Sequence, residues 1–315
     1  MSAADQVADI LPRVAVLMST YNGAAFLDAQ LASLAAQKGV DCVLFVRDDG
    51  SSDDTLAVLA RHAHRWPNLA ATLAGPNLGP AMSFLALLAS VPRDFDYYAF
   101  CDQDDVWLPG KLARAAARLA GSPADRPALY CSRVICAGAD LTPVGAPVGD
   151  GDTRFEHLLF ENIAFGITMV MNRAAQAAVA DHPPAAGVIM HDWWCALVIS
   201  AIGEVVHDPA PSALYRQHGG NVIGARPTAA AEIALRLAAF FRDPRGFYPI
   251  HAQGAEFLRL YADALGPERL GFLRGFVASK ASLGARLRYG LTGALIRSKW
   301  YGALFARALV IAGLY

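Results

Sequence analysis

Three aspartates stand close together in the segment Asp102-Gln103-Asp104-Asp105, directly after the apolar run 97–101. Carboxylates this close repel one another, and their pKa values rise unless a cation lies among them. Oxygen ligands suit Mg²⁺ or Mn²⁺, which take one or two protein carboxylates and fill the remaining positions with substrate phosphates and water. The segment therefore predicts a divalent cation that bridges a diphosphate. The alternative is a solvated turn, the usual role of an isolated aspartate-rich loop.

Two further polar clusters also follow apolar runs. Ser19-Thr20-Tyr21-Asn22-Gly23 follows the run 13–18, and Asp48-Asp49-Gly50-Ser51-Ser52 follows the run 42–46. The chain has neither the glycine-rich dinucleotide fingerprint after its first strand nor a Walker A loop, so the cation must hold the phosphates. A turn with a helix cap accounts for residues 51–54 but not for two adjacent acids at a strand tip. The side chains available for a base or ribose are Thr20, Tyr21, Asn22, Asp48 and Asp49.

The elements between these clusters must position them. Strands that alternate with helices indicate an α/β fold with an open, mostly parallel sheet flanked by helices. In such sheets ligands bind at the carboxyl ends of the strands, so the three polar clusters are expected on one edge. Apolar runs stand at 13–18, 42–46, 70–73 and 97–101, and helical patterns at 24–37, from 54, and at 80–89.

The second half of the chain is less regular and ends in helices. We expect strands over 163–171 and 213–218, a loop at 219–221, and an apolar helix over 191–202. From Ala229 onward the pattern is helical, with breaks at Pro244, Pro249 and Pro267.

Composition excludes several classes of protein. The chain has 315 residues, with 27 Lys+Arg against 28 Asp+Glu, so it lacks the basic surface that binding to nucleic acid usually needs. With 55% apolar and 17% charged residues, it can bury a large core and is not disordered. Its five cysteines form no C-x-x-C pair, which favours free thiols in a reducing cytosol over disulfides or zinc. Asp5 and Asp9 stand where a signal peptide needs positive charge, so a cytoplasmic location is expected.

The C-terminal tail carries charge of one sign. Basic residues are interspersed there with large apolar ones, and the mean hydropathy of the chain is high at +0.31, yet no uncharged apolar stretch is long enough to span a bilayer. Because basic amphipathic helices lie on anionic lipid, we expect the tail to hold the protein on the cytoplasmic face of the membrane. The alternative is a helical appendage packed on the core. No acidic residue follows Glu268, whereas basic residues stand at Arg269, Arg274, Lys280, Arg286, Arg288, Arg297, Lys299 and Arg307.

The order of the motifs resembles that of a known family. The chain carries STYNG, RDDGSSDDT, GPNLGPAMSF, FCDQDDVW, HDWW and YRQHGGN, in this order, over residues 13–224. The series is similar to that of the family 2 inverting glycosyltransferases with the GT-A fold, and most similar to the rhamnosyltransferase branch. That branch uses dTDP-L-rhamnose to extend cell-surface polysaccharides. The tail over 230–315 is not covered by the resemblance.

The resemblance implies roles for the matching residues. Asp104 would ligate the metal directly, with Asp102 nearer the ribose and Asp105 acting through water. A late loop, Arg216-Gln217-His218, would close over the diphosphate, and its histidine could complete the metal shell. The base and ribose would be held by the first two clusters and by a nucleotide-side loop, through Thr20, Tyr21, Asn22, Asp48, Asp49, Asn77 and Gly79.

Asp192 falls where the family places its catalytic base. Its position at a predicted helix start favours the charged, proton-accepting carboxylate, although an aspartate there can also be a simple N-cap. His191 is an alternative base or metal ligand. Trp193 and Trp194 either stack on an acceptor sugar or belong to the core, and we expect one to pack and one to face the acceptor.

These features predict a GT-A catalytic domain over residues 1–228, with a nucleotide-binding half over about 13–120 and an acceptor half over about 121–228. A helical, membrane-associating segment would occupy 229–315. The expected reaction moves a hexose, with L-rhamnose favoured, from a nucleoside diphosphate sugar to a hydroxyl of a lipid-linked glycan, using Mg²⁺ or Mn²⁺ and an aspartate base. One alternative is a metal-dependent sugar nucleotidyltransferase, although the basic glycine-rich phosphate loop is missing near residue 20. The other is a non-catalytic, membrane-bound glycan-binding module.

Overall fold

The structure is a computed structural model that describes residues 11–64, 66, 68–218, 249–293 and 295–315. Its strands are β1 (Arg13–Thr20), β2 (Asp41–Asp48), β3 (Leu69–Ala74), β4 (Tyr97–Asp102), β5 (Val106–Trp107), β6 (Ala128–Ser132), β7 (Ile135–Ala137), β8 (Val170–Asn172), β9 (Glu204–Asp208) and β10 (Ala213–Arg216). Its helices are α1 (Ala24–Ala35), α2 (Thr55–Ala63), α3 (Pro80–Ser90), α4 (Lys111–Leu119), α5 (Phe155–Leu158), α6 (Arg173–Ala180), α7 (His191–Ile202), α8 (Ile250–Tyr261), α9 (Pro267–Ala278), α10 (Leu283–Thr292) and α11 (Trp300–Ala312).

The main sheet has its strands in the order β3-β2-β1-β4-β8-β6-β9. β1 lies parallel to β2 on one side and to β4 on the other, whereas β8 runs antiparallel to both of its neighbours. Thr20 pairs with Asp48, and Ser19 pairs with Asp102, so the carboxyl ends of three strands meet at one edge. The predicted open, mostly parallel sheet flanked by helices is confirmed.

The residues of β1 alternate between two core clusters. Val14, Val16 and Met18 belong to one cluster, and Ala15 and Leu17 to the other. Successive side chains of a strand point to opposite faces, so both faces of the sheet are covered. All five side chains are fully buried, which is why the strand is continuously apolar in sequence.

A second, smaller sheet connects the acidic segment to the late loop. β10 pairs antiparallel with β5 and parallel with β7. β5 starts four residues after Asp102, and β10 ends at Arg216. The sheet therefore fixes the late loop next to the acidic segment, although the two are more than 100 residues apart in sequence.

The strand expected over 163–171 is wrong for most of its length. Only its end contributes to β8, and Gly166–Thr168 forms a 3₁₀ turn instead. The Phe165 carbonyl accepts hydrogen bonds from the N–H and the hydroxyl of Thr168, at 2.9 and 2.8 Å. Such local bonds compete with sheet pairing. The loop at 219–221 and the first part of the tail, with Ala229 and Pro244, lie outside the described residues.

The described part of the tail buries some of its large apolar side chains in the core and exposes others. Phe257 of α8 and Leu273 and Phe276 of α9 are fully buried, and the Phe257 ring lies 6.0 Å from that of Trp194. For α8 and α9 the alternative of packing on the core is therefore correct. Among the residues described, no helix combines the length and the apolar character needed to cross a bilayer. The last two helices and their flanks expose large apolar side chains at Leu283, Leu287, Leu291, Trp300 and Leu304.

An ionic cluster ties the segment before α11 to the core. The Glu161 carboxylate accepts hydrogen bonds from Arg297 Nη2 at 3.0 Å and from the Ser298 N–H at 2.6 Å. His157 Nε2 lies 3.0 Å from the same carboxylate. Burial opposes ionisation, but the His157 hydrogen bond and the Arg297 charge lower the pKa of Glu161 to about 2. Glu161 is therefore ionised and paired at neutral pH.

Lys111 is a buried amine, and its burial disfavours the protonated form. Its Nζ lies 3.7 Å from the centre of the Trp107 ring and has no hydrogen-bond partner among the described residues. Burial lowers the pKa of Lys111 to about 7, whereas the unfolded chain keeps the ordinary value of roughly 10.4. Between these values the unfolded chain binds a proton that the folded chain does not, so this group makes stability rise with pH.

Lys111→Met is therefore expected to raise the thermal midpoint at pH 7.5 by about 2–6 °C, because an apolar side chain of similar shape replaces an unpaired amine. The gain should shrink towards pH 9.5, since the penalty on the wild-type lysine falls there. Calorimetry at both pH values measures this, with the exposed Lys38→Met as control. A gain of equal size at both pH values would contradict a neutral buried amine.

Candidate active site

A cavity of 510 Å³ lies where the carboxyl ends of β1, β2 and β4 meet. The segments that follow these strands contribute Tyr21, Asp49 and Asp104 to its lining. The turn over 162–167 and the start of α7, including Asp192, complete it. The cavity thus joins residues from both halves of the chain.

The Asp48 carboxylate is hydrogen-bonded within the turn after β2 and to the end of β1. Its carboxylate accepts hydrogen bonds from Thr20 Oγ1 at 2.9 Å, from the Ser51 N–H at 2.9 Å and from the Ser51 hydroxyl at 2.6 Å. Thr20 and Asp48 are each 1% exposed, and neither lines the cavity. Their polar atoms shape the loop in this structure, and the nucleotide contact expected of the two residues stays a prediction.

The loop after β1 presents Tyr21 to the cavity. The Tyr21 side chain is 50% exposed and belongs to the lining. Asn22 has a left-handed φ of 48°, and its side-chain carbonyl accepts a hydrogen bond from the Ser52 N–H at 2.8 Å. Asn22 does not line the cavity and joins this loop to the one after β2, and the nucleotide contact expected of it stays a prediction.

Asp49 shapes the nucleotide-side loop and faces the cavity. Its two oxygens accept the Leu78 and Gly79 N–H groups, each at 2.9 Å, and it is paired with Arg47. Gly79 has a φ of +76°, a conformation that favours glycine. Asn77 and Gly79 both line the cavity, so the predicted loop lies where it was expected.

Two aspartates of the acidic segment line the cavity. Asp102 ends β4, and burial, followed by the charges of Asp104 and Asp192, raises the pKa of Asp102 well above its ordinary value. Asp104 Oδ2 lies 2.8 Å from His218 Nε2. The His218 ring stacks on Phe26 of α1 with 4.3 Å between centroids. A carboxylate and an imidazole, each a metal-ligand type, therefore meet at this position.

Asp105 is fully buried and does not line the cavity. One of its oxygens accepts the Arg216 N–H at 2.8 Å, and the other has no hydrogen-bond partner among the residues described. Burial, and then the charges of Asp102 and Asp104, raise the pKa of Asp105 well above its ordinary value. A positive ion beside the segment would relieve this repulsion.

Arg216 and Gln217 do not line the cavity, although a diphosphate contact was expected of both. The Arg216 guanidinium donates to the carbonyls of Asp104 and Ala139, each at 2.7 Å. The Gln217 N–H donates to the Ala137 carbonyl at 2.8 Å. In this arrangement both residues fasten the late loop to its neighbours, and closure over a diphosphate stays a prediction.

The donor set fits a divalent cation that is shared with a ligand. The described residues hold no group of three or more His, Cys, Asp or Glu side chains placed to bind a metal ion by themselves. They do bring Asp104 and His218 together, with Asp102 also on the cavity. Mg²⁺ and Mn²⁺ commonly take few protein ligands and leave the other positions to phosphates and water.

Asp192 lies in the first turn of α7 and lines the cavity. Its Oδ2 accepts the Gly166 N–H at 3.0 Å. Burial raises the pKa of Asp192 to about 6, although hydrogen bonds from Trp193, Gly166 and Asn162 oppose the shift. A carboxylate with a pKa just below neutral is ionised at pH 7 yet basic enough to take a proton.

His191 is buried beside Asp192. Its ring stacks on Phe84 at 4.0 Å and meets Phe100 edge-on at 4.7 Å, and neither ring nitrogen has a hydrogen-bond partner among the described residues. Burial lowers the pKa of His191 to about 3, so the ring is neutral. A pKa of about 3 makes the His191 ring a much weaker base than the Asp192 carboxylate, whose pKa is about 6.

The two tryptophans lie in the interior. Trp194 is fully buried against Phe257 and Tyr261, and Trp193 is 8% exposed and donates its indole N–H to the Leu158 carbonyl. Neither lines the cavity. The expectation that one of them faces an acceptor is wrong, because both apolar surfaces are needed to pack α7 on the core.

Sequence reasoning missed the role of Gly166. A Cβ at this position would lie 2.8 Å from His191 Nε2 and 3.3 Å from the Cβ of Asp192, so a side chain has no room. The glycine also gives the N–H that holds the Asp192 carboxylate. A glycine inside an apolar run was the available signal, since it marks a place where the backbone approaches another group closely.

Comparisons with known proteins agree with this arrangement. Residues 15–138 match the family model described as Glycosyl transferase family 2. The chain is 29% identical over 217 residues to the dTDP-rhamnosyl transferase RfbG of Shigella flexneri, a match that covers 66% of this chain and 74% of the relative. It is 38% identical over 85 residues to the succinoglycan biosynthesis protein ExoW of Rhizobium meliloti, covering 27% of each chain.

Solved structures are similar in fold. The chain resembles residues 1–349 of S. aureus TarS in complex with UDP-GlcNAc with a TM-score of 0.57 and 17% identity, covering 95% of this chain and 81% of that one. It resembles the Pyrobaculum calidifontis mannosyltransferase PcManGT, in complex with GDP-Man and Mn²⁺, with a TM-score of 0.50 and 19% identity, covering 96% and 86%. The sheet with its flanking helices is thus the GT-A fold, and residues 15–138 carry the similarity to the family 2 glycosyltransferases.

Proposed function

We propose that this glycosyltransferase moves L-rhamnose from a dTDP-linked donor to a saccharide hydroxyl, with inversion at the anomeric carbon. The observation that carries the proposal is one cavity lined by Asp104, which contacts His218, and by Asp192, a buried carboxylate with a raised pKa. Inverting displacement needs a charge-compensated leaving group and a base for the attacking hydroxyl. Asp104 with His218 would hold the cation for the first, and Asp192 would serve as the second.

The donor's nucleotide would lie against the loops after β1 and β2. Tyr21 offers an exposed ring for stacking, and Asn77, Gly79 and Asp49 complete this end of the cavity. Asp102 lines the same cavity and would bind a ribose hydroxyl, the role that the family resemblance implies for it. Mg²⁺ or Mn²⁺ held by Asp104 and His218 would stabilise the charge that develops on the diphosphate.

Asp192 would take the proton of the attacking hydroxyl. As the acceptor oxygen bonds to the anomeric carbon, the bond from that carbon to the diphosphate oxygen breaks, and the proton moves to the carboxylate. The Gly166 N–H holds one carboxylate oxygen, which fixes the orientation of the base. Burial, by raising the pKa of Asp192, makes it a stronger base than an exposed aspartate.

Rhamnose is favoured over an ordinary hexose for two reasons. One relative, matched over 217 residues, is a dTDP-rhamnosyl transferase. The cavity is also lined by the apolar side chains of Phe84, Ile163, Ile167 and Met190, which suit the methyl group of a 6-deoxy sugar and would leave a 6-hydroxyl without a partner.

We also propose a membrane surface and a domain division. Residues 1–228 would form the catalytic domain, with the nucleotide half before about residue 120 and the acceptor half after it. In the tail, exposed Leu287 and Leu291 of α10 and Trp300 and Leu304 of α11 lie among basic residues with no acidic one. Apolar side chains among cations are the surface that an anionic leaflet binds. A peripheral location at the cytoplasmic face would bring a lipid-linked acceptor to the enzyme.

The donor assignment is tested by protection against heat unfolding. With Mn²⁺ present, dTDP-L-rhamnose is expected to raise the thermal midpoint more than dTDP-glucose, UDP-glucose or GDP-mannose, since a ligand stabilises in proportion to the logarithm of its concentration over Kd. A larger rise with UDP-glucose or GDP-mannose would overturn the assignment. Formation of dTDP-rhamnose from dTTP and rhamnose 1-phosphate would instead reveal a nucleotidyltransferase.

Asp104→Asn is the matched control for this experiment, because the amide keeps the shape and loses the charge. We expect a midpoint without ligand within about 2 °C of the wild type, loss of the Mn²⁺-dependent part of the protection, and at least a hundredfold loss of turnover. Wild-type turnover in this variant would remove the metal role. Glycan binding unchanged by the substitution, in a chain without turnover, would favour a binding module.

Asp192→Asn is expected to lower kcat by about 10²–10⁴-fold while the donor Kd changes little, because the base acts only in the transition state. In the wild type, kcat should rise with pH through an apparent pKa near 6, as the Asp192 carboxylate loses its proton. The residual activity of the variant should not show this fall of kcat towards low pH, the acid limb of the profile. A variant changed only in KM, or one that kept the limb, would contradict the assignment.

The membrane surface is tested by flotation with vesicles that contain phosphatidylglycerol. Replacing Leu287 and Leu291 together by serine is expected to lower the bound fraction at least tenfold, since each buried leucine contributes about 2 kcal/mol. Replacing Leu56 and Leu73, two exposed leucines outside the tail, should leave it unchanged. If both double variants floated equally well, the exposed leucines of the tail would not bind the membrane, and the tail would only pack on the core.

A further inference from the structure

Gln103, which stands between Asp102 and Asp104 in the acidic segment, holds the backbone of Tyr21. Its side-chain Oε1 accepts the Tyr21 N–H at 2.9 Å, and its Nε2 donates to the Tyr21 carbonyl at 3.0 Å. One amide therefore satisfies both backbone groups of one residue, as a neighbouring strand would. Both residues line the cavity.

The lack of a side chain at Gly23 leaves the space that this amide occupies. A Cβ on Gly23 would lie 2.0 Å from Gln103 Oε1 and 2.4 Å from its Cδ. Gly23 has a φ of −106°, which any residue can adopt. Glycine is therefore needed here to leave space for the amide, and not for its backbone conformation. The position of the Gln103 amide thus depends on a glycine in the loop it supports.

The neighbouring residues hold the rest of the loop from the other side. The Asn22 N–H donates to Ser51 Oγ at 2.9 Å, and the Gly23 N–H donates to Thr55 Oγ1 at 2.9 Å. These bonds tie the loop to the segment after β2. The Gln103 amide ties it, through Tyr21, to the segment that carries Asp102 and Asp104.

We infer that Gln103 is a positioning residue that sets the Tyr21 ring for the nucleotide base relative to the aspartates that face the diphosphate. The inference rests on the proposed function, because it takes Tyr21 as a nucleotide contact. Gln103 touches the loop and acts through Tyr21, so its loss weakens nucleotide binding and leaves the chemical step intact.

Gln103→Ala is expected to raise the Kd for dTDP, measured by titration calorimetry with Mn²⁺, by about tenfold, since two hydrogen bonds of ordinary strength are lost. The donor KM should rise in parallel, with kcat within about threefold of the wild type. Gly23→Ala should give the same defect, because its methyl group displaces the amide. The double variant should be no worse than Gln103→Ala alone, since the shortened side chain at that position leaves space for the added methyl group.

Gln37→Ala is the matched control. The Gln37 amide also bonds backbone groups, those of Leu108 at 3.1 Å and Leu112 at 3.3 Å, but it does not line the cavity. Its loss should lower the thermal midpoint and leave the Kd unchanged. Wild-type Kd in Gln103→Ala, or additive effects of Gly23→Ala and Gln103→Ala, would overturn the inference alone. A wild-type chain that binds no nucleoside diphosphate would overturn the proposed function as well.

Discussion

The site depends on the register with which β1 pairs to both of its neighbours. Because β1 is parallel to β2 and to β4, Thr20 lies beside Asp48 and Ser19 beside Asp102. Parallel strands end at the same edge, so three loops from separate parts of the sequence meet there. A shift of the pairing by one residue would turn the buried side chains of β1 to the wrong face. The two core clusters, which hold alternate residues of β1, therefore keep the strand in register.

The acidic residues at this edge divide into two groups by how their charge is compensated. Asp48 is surrounded by N–H and O–H donors, and Asp49 has Arg47 and two backbone N–H groups. The oxygens of both carboxylates therefore bond to groups within and beside the loops. Asp102 and Asp192 keep less compensation, and burial raises the pKa of each. Carboxylates that the fold leaves under-compensated are the ones that a cation, a hydroxyl or a proton can satisfy.

Continuous apolar runs and the polar residues after them were enough to predict the sheet, its edge and the positions of Tyr21, Asp49 and Asp104 there, whereas Asp192 was predicted from the resemblance to a family. The alternation of strands and helices carries that information locally. The contacts of Asp48, of the tryptophans and of the 163–171 segment were not predictable, because they are decided by what packs against each residue. An aspartate at a strand tip has the same local sequence whether its oxygens face a ligand or neighbouring N–H groups.

The tail and the cavity wall are held together by one ionic cluster, which has a consequence for how the tail's role is measured. Glu161 stands one residue before Asn162, which lines the cavity, and its partners Arg297 and Ser298 precede α11. Removing the tail would take Arg297 and Ser298 away from the half-buried Glu161 carboxylate and leave His157 as its partner. A truncated chain would therefore lose stability and cavity geometry together with the exposed leucines. Substitutions of those leucines separate the surface from the fold, because their side chains do not take part in the cluster.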